Sequence, residues 1–226
     1  MRPESLRLGL LASAWLLTAC TQQPDARVVD AGTPPVDGQA DAGTPAPLAR
    51  SSRNSLRFKG PERLTLDFAA ALSLPPDQVC NELGQYPCTT FVHNVTLGGV
   101  DPYGNGLYEP LPATGVTTPI AVDRVALAAC ARRVGLDAAA PSSAVIFRGI
   151  TLDGQGRLAS RDGQPVRDAI TALYQRGLLR DATETEVGAW VRLSVDVEAA
   201  GSPSPGRDWM TAVCFGILSS AESVFF

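Results

Sequence analysis

Residues 118–135 read TPIAVDRVALAACARRVG. Val122, Val125, Ala129 and Val134 face one way at helical spacing, Thr118 can cap the start, Pro119 suits the first helical position and Gly135 suits the exit. The stretch therefore predicts a helix over Pro119–Val134. Cys130 lies beside the apolar stripe and is expected to be buried. Asp123, Arg124, Arg132 and Arg133 read as its solvated face.

The chain on the C-terminal side repeats this pattern. Pro165–Arg176 places Val166, Ile170, Leu173 and Tyr174 on one face and exits at Gly177. Thr183-Glu184-Thr185-Glu186 is a capping box that opens a helix with Val187, Trp190, Val191 and Val195 inside, ending near Gly201. After the loop Ser202-Pro203-Ser204-Pro205-Gly206, residues Asp208–Ser219 carry Trp209, Val213, Cys214, Ile217 and Leu218. On the N-terminal side, Leu64, Phe68 and Leu72 mark a short amphipathic helix at fourfold spacing. Pro75-Pro76-Asp77 opens a further helical turn through Leu83, halted at Gly84, and Phe91, Val92, Val95 and Leu97 read as a short strand. Ala144–Leu152 and Arg157–Ala159, joined by Asp153-Gly154-Gln155-Gly156, read as a small β-hairpin; Asp153 and Asp162, each before a glycine, read as turn formers. The fold class expected is mainly α: a disulfide-stapled helical domain over residues 58–226 with a small β-hairpin and long irregular loops.

The whole chain has 226 residues, 45% hydrophobic and 19% charged, with net charge −4. That composition is globular, neither collagenous nor wholly disordered. No strongly basic face for a nucleic-acid partner is visible.

The N-terminus reads differently. Arg2 and Arg7 precede an apolar run, Leu8–Leu17, which is too short to span a bilayer as a helix of about twenty residues. The run ends in Leu17-Thr18-Ala19-Cys20, which resembles the bacterial lipobox. The resemblance implies a signal peptide over residues 1–19 and acyl chains on Cys20, with stable anchoring because two or three chains are attached. Thr21 stands where an aspartate often marks inner-membrane retention, so the resemblance implies the outer membrane of a Gram-negative cell, facing the periplasm or the surface. Residues 20–57 form a linker of Pro, Ala, Asp, Gly, Thr and Gln, with Asp30-Ala31-Gly32-Thr33-Pro34 repeated as Asp41-Ala42-Gly43-Thr44-Pro45. It has too little apolar surface to offset an ordering cost of about 1–2 kcal/mol per residue, and is expected to be disordered. As a coil it reaches about 30–35 Å.

Five cysteines are present. With Cys20 lipidated, Cys80, Cys88, Cys130 and Cys214 remain, an even number that in an exported chain points to two disulfides. Three pairings are possible. We favour Cys80 with Cys88, bracketing Asn81–Pro87 where Gly84 and Pro87 turn the chain back, and Cys130 with Cys214, joining two helices. The latter closes a loop of about 85 residues, for which chain entropy suggests roughly 4–5 kcal/mol. An interlaced pairing such as Cys80 with Cys130 competes, as do four buried free thiols.

Chemistry is sparse. Cys80-x7-Cys88-x4-His93 lacks zinc-knuckle spacing, and no Cys-x2-Cys-His occurs for covalent haem. Leu97–Pro112 (LGGVDPYGNGLYEPLP) is dense in turn formers; Asp101, Asn105 and Glu109 recur every four residues and are a calcium candidate, although they depart from the EF-hand pattern. The competing reading is a packed loop anchored by Tyr103 and Tyr108. His93, the single imidazole, has no nucleophile elbow to serve and reads as a structural, hydrogen-bonded histidine. No Walker loop or dinucleotide fingerprint occurs, and Gly98-Gly99 lacks its spacing. Neither a cofactor nor a catalytic residue is expected.

The C-terminal third resembles a helical module that recurs at the ends of exported bacterial proteins, some of which carry cytochrome domains. The matching residues are Leu173-Tyr174, Leu179-Arg180-Asp181-Ala182-Thr183 before Glu186, Trp190, and Ile217-Leu218-Ser219-Ser220-Ala221-Glu222, within residues 165–226. Ser223 stands where the module usually has Phe. With the lipobox and linker, the whole resembles envelope lipoproteins of high-GC Gram-negative bacteria, in keeping with 18 arginines beside a single lysine among the 19 basic residues. The resemblance implies a non-catalytic binding or structural module held to the membrane by its lipid anchor, with a protein partner in the envelope. The alternative it raises is an accessory subunit of a periplasmic redox complex, or an enzyme.

Overall fold

The computed structural model describes residues 56–110 and 115–226. The signal segment, Cys20 and the linker as far as residue 55 lie outside the described residues. Helix α1 spans Gly60–Leu72 and buries Leu64, Phe68 and Leu72 as their spacing predicts. It stops at Ser73, whose φ is 49°, and the C-terminal carbonyls of Ala70 and Ala71 accept hydrogen bonds from the Arg176 guanidinium at 3.1 and 2.5 Å. The Ala70 carbonyl otherwise has a long bond at 3.4 Å from the Ser73 amide, and both carry the negative end of the helix dipole, so a cation there serves both needs.

Pro76–Gln78 makes one 3-10 turn, and then the chain departs from the helix expected through Leu83. Two short antiparallel strands follow, β1 (Asn81–Glu82) and β2 (Tyr86–Pro87), in the register Asn81↔Pro87 and Glu82↔Tyr86. The cysteine bridge decides the local conformation: Cys80 and Cys88 are joined at a Cα separation of 5.4 Å. A helix cannot bring residues eight apart that close, since eight steps of about 1.5 Å put them about 12 Å apart. The strand expected over Phe91–Leu97 is also absent. Cys88–Val92 forms a single π-helical turn, with the buried Thr89 hydroxyl 2.7 Å from that of Thr65 on α1.

Helix α2 (Thr118–Ala139) is longer than its sequence boundaries. It runs through Gly135 because Asp137, two residues on, is fixed by tertiary partners described below. Its arginines are not uniformly a solvated face: Arg133 is buried. Between α2 and the next helix the backbone is irregular, and the hairpin expected over residues 144–159 contracts to one bridge, Leu152↔Leu158. The Asp153 carboxylate closes that turn by accepting from the amides of Gln155 and Arg157 at 2.8 and 2.9 Å.

Three helices follow: α3 (Gln164–Gly177), α4 (Glu184–Ala199) and α5 (Pro205–Leu218). The capping box at Thr183 and Glu186 forms as written in the sequence. Of the residues expected inside α4, Val187 is buried, whereas Val195 is exposed. α5 is the axis of the core, with Trp209, Val213, Cys214 and Leu218 fully buried. Cys130 of α2 is joined to Cys214 of α5, Cα 5.7 Å apart. Gly177 is needed for proximity rather than for a left-handed exit: a Cβ there would lie 2.7 Å from the Leu218 side chain, while the positive φ falls on Leu179 at 56°. A last short helix, α6 (Ala221–Val224), leads to Phe225, which pairs with Phe58 across an antiparallel bridge; the two rings meet edge to face at 5.9 Å. The point where the chain enters the folded domain is thereby clamped to the C-terminus.

Candidate functional site

The stapled hairpin carries the most unusual surface among the described residues. Leu83 and Gly84 have φ of 52° and 71°, and the Gln85 amide donates to the Glu82 carbonyl at 3.1 Å, which together make a type I′ turn. Such turns match the twist of the strands but require positive φ at both central positions, hence the usual Asn-Gly. Leucine there costs about 1–2 kcal/mol of backbone energy. Its side chain offsets none of that by burial, being 86% exposed. Beside it, Tyr86 and Phe91 stack on one another, 5.6 Å between centroids with an 18° interplanar angle, and Phe91 is 68% exposed. Leu83 and Tyr86 thus lie within the loop that the bridge closes, and Phe91 stacks on Tyr86 from the π-helical turn that follows.

The base of the hairpin is polar and fully paired. Glu82 Oε1 accepts from His93 Nε2 at 2.9 Å and from Arg124 Nη2 of α2 at 2.9 Å. Arg124 thereby ties the hairpin to α2, and the single histidine ties it to the segment that follows the π-helical turn, a hydrogen-bonded histidine as its structural reading expects.

Of the calcium candidates, Asp101 and Asn105 meet in a hydrogen bond within the loop. Asp101 spends its carboxylate inside the loop, accepting from the Gly104 amide at 2.8 Å and the Asn105 side-chain amide at 2.7 Å, while Glu109 is exposed. Among the described residues no group of three or more His, Cys, Asp or Glu side chains is placed to hold a metal ion. Nor is the loop anchored by its tyrosines: Tyr103 is wholly exposed and Tyr108 78% exposed. The hydrogen bonds of Asp101 and the Asp101↔Leu107 bridge hold it instead.

A second constellation lies in the C-terminal module. Arg180 donates to both oxygens of Glu186 at 3.0 and 2.7 Å, to both oxygens of Glu222 at 2.7 and 2.9 Å, and sits 4.9 Å from the Tyr174 ring centroid. Tyr174 Oη accepts from Trp190 Nε1 at 3.0 Å, and the Trp190 carbonyl accepts from Trp209 Nε1 at 2.8 Å. Tyr174, Arg180, Glu186, Trp190 and Glu222 thus form one connected network. The Arg180 guanidinium, then the Thr183 amide, hold the Glu186 carboxyl down at about 2; Arg180 likewise depresses Glu222. Every polar group in the network has a partner, and its work is to fix α3, α4 and α6 together.

A cleft of 360 Å³ runs between α1 and the C-terminal residues, lined in part by Lys59, Arg63 and Asp67. Its charges are engaged: Asp67 pairs with Lys59 at 2.9 Å and with Arg63 at 2.8 Å. No helix among the described residues is long and apolar enough to cross a membrane. Comparison with protein-family models, with curated proteins and with solved structures finds no match to this chain.

Proposed function

We propose that the protein is a membrane-anchored envelope lipoprotein, held in the outer membrane by acyl chains on Cys20, whose disulfide-stapled helical domain is a non-catalytic binding or structural module for a protein partner. The observation that carries the binding role is Leu83: an exposed leucine, in a left-handed backbone conformation, at the tip of a covalently closed turn beside the Tyr86–Phe91 stack. Strain that burial does not offset is retained where function uses it, and rigid aromatic and aliphatic anchors dominate binding energy at protein interfaces. The engaged state of the charged groups around His93, Arg180 and Asp67 supports a role other than catalysis. The lipid anchor is supported by the Leu17–Cys20 motif, and the linker gives the domain freedom to reach a partner.

A photo-crosslinking residue placed at position 83 in the full chain, expressed in a Gram-negative envelope, tests the reading. One discrete protein adduct is expected from position 83 and none from position 66, an exposed control on α1. Leu83→Asn combined with Phe91→Ser is expected to lose the partner in co-purification after mild detergent extraction, while Cys20→Ala releases the chain from the membrane fraction. A stoichiometric haem-bearing partner would turn the reading toward a redox accessory subunit; no adduct at position 83 would remove the binding role from the hairpin.

A further inference from the structure

We propose that the Cys80–Cys88 bridge is a site of thiol–disulfide exchange, opened by a dithiol reductant while the Cys130–Cys214 bridge stays closed. The two bridges sit in opposite surroundings. Cys130 and Cys214 are both fully buried where α2 packs on α5, so no nucleophile reaches either sulfur unless the two helices part. Cys88 is equally buried, but Cys80 is half-buried and lines a surface pocket of 340 Å³ together with Asn81, Gly84 and Arg132. Attack therefore falls on Cys80 Sγ, with Cys88 as the leaving sulfur. The Arg132 guanidinium on the same wall places positive charge where an incoming thiolate arrives, an environment that favours the anionic nucleophile.

The step balances without a further component. A thiolate of the dithiol bonds to Cys80 Sγ, the Cys80–Cys88 bond breaks, and its electron pair leaves on Cys88 Sγ, which takes up a proton. The second thiol of the reductant, after losing its proton, displaces Cys80 as a thiolate and closes the reductant's own disulfide. Two electrons and one proton have then passed from the dithiol monoanion to the cystine, leaving the Cys88 thiol and the Cys80 thiolate, which takes a second proton from water.

Opening has a local consequence. The β1–β2 ladder comprises two residue pairs, and an isolated two-stranded hairpin is marginal in water even when longer. With the bridge cut, the left-handed conformation of Leu83 is held by that ladder, the turn hydrogen bond from the Gln85 amide to the Glu82 carbonyl, the Cys88 amide to Cys80 carbonyl hydrogen bond at 3.1 Å, and the Glu82 contacts to His93 and Arg124. The helical core keeps its own bridge, so the hairpin loosens as a separate unit of low stability. This inference is independent of what, if anything, the hairpin binds.

The experiment uses the full oxidised chain in mildly alkaline buffer without denaturant, exposed to dithiothreitol for graded times. Free thiols are trapped with N-ethylmaleimide and each cysteine peptide is quantified by mass spectrometry, with far-UV circular dichroism and amide hydrogen exchange alongside. Cys80 and Cys88 are expected to label at least about tenfold faster than Cys130 and Cys214, with helicity kept and exchange rising only over residues 80–92. Equal rates, earlier labelling of Cys130 and Cys214, no labelling of Cys80, or loss of helicity in step with Cys80 labelling would each overturn the proposal.

Discussion

Asp137 is the residue whose loss should cost the fold most. Its side chain is 1% exposed and that of Arg133, one helical turn earlier, 8%; their closest atoms are 2.7 Å apart. The same carboxylate accepts from three successive backbone amides, Val145 on Oδ1 and Ile146 and Phe147 on Oδ2, each at 3.0 Å. It therefore neutralises a buried cation and folds the irregular chain after Ala144 back on the last turn of α2. Asp137→Asn keeps the volume and one acceptor oxygen but removes the charge and turns an amide NH₂ toward backbone donors. Breaking one side of a buried pair leaves an uncompensated charge, which costs about 3–5 kcal/mol. Arg133 has little to fall back on: its Nη1 contact with the Leu72 carbonyl is 3.4 Å and its Nε has no partner. For a domain of this size each kcal/mol is worth about 2–4 °C, so the midpoint of thermal unfolding should fall by about 6–20 °C. Calorimetry of the oxidised protein measures this directly. Adding Arg133→Met to Asp137→Asn should return more than about 1 kcal/mol, because the double change removes the stranded charge as well as its partner. A single-mutant loss below about 1 kcal/mol, or strict additivity in the double mutant, would refute the claim that the pair and its three amides act as one unit.

Three further outcomes follow from other parts of the molecule. The Glu186 carboxyl titrates at about 2 in the folded chain, held down chiefly by Arg180, against 4.5 for an ordinary glutamate. Its contribution is therefore present above about pH 4.5 and is lost as the pH falls toward 2, so the stability gap between the wild type and Glu186→Gln should be full near neutrality and close across that window in pH-dependent thermal melts. Gly216 faces Trp190: a Cβ there would stand 2.6 Å from Cη2 and 3.2 Å from Cζ3, so Gly216→Ala should destabilise by about 1–3 kcal/mol and shift tryptophan fluorescence. An unchanged melting curve would show that Trp190 can move aside freely. Leu83→Asn alone should leave stability equal or raise it by up to about 1 kcal/mol, since asparagine tolerates the left-handed turn; a measured loss in urea denaturation would mean the leucine side chain has packing partners after all.

The helices were legible in sequence because their signals are local. The 3.6-residue stripe of α3, the Thr183–Glu186 box and the prolines opening α2 and α3 act within one or two turns and produced helices close to the expected starts, whereas α5 begins three residues before the expected Asp208, at a Pro205 assigned to the loop. The errors lie where a distant partner decides. Gly135 carries the usual exit signal, yet α2 continues because Asp137 is held by amides eight to ten residues ahead. Gly177 looks like a left-handed exit and is instead a contact point for Leu218 on α5, 41 positions along. Arg133 reads as solvated beside Arg132, though its spacing to Asp137 was visible as an i,i+4 pair; what the chain could not reveal locally is that both face inward.

The candidate site was half legible for an instructive reason. Two readings of residues 76–88 conflict: Pro75-Pro76-Asp77 is a sound helix opening, whereas cysteines eight apart around Gly84 demand a reversal. The covalent reading wins because a disulfide fixes the Cα separation near 5–6 Å, and no helical propensity, worth tenths of a kcal/mol per residue, competes with that. Once the reversal is accepted, Leu83 must take a conformation that its own side chain disfavours, since nothing about a Leu-Gly pair announces a type I′ turn. The stapled hairpin thus holds a strained leucine in solvent by cross-linking, at a turn that Asn-Gly would adopt at no such cost. That mismatch between local preference and covalent constraint, rather than any catalytic constellation, is what singles this turn out from the rest of the surface.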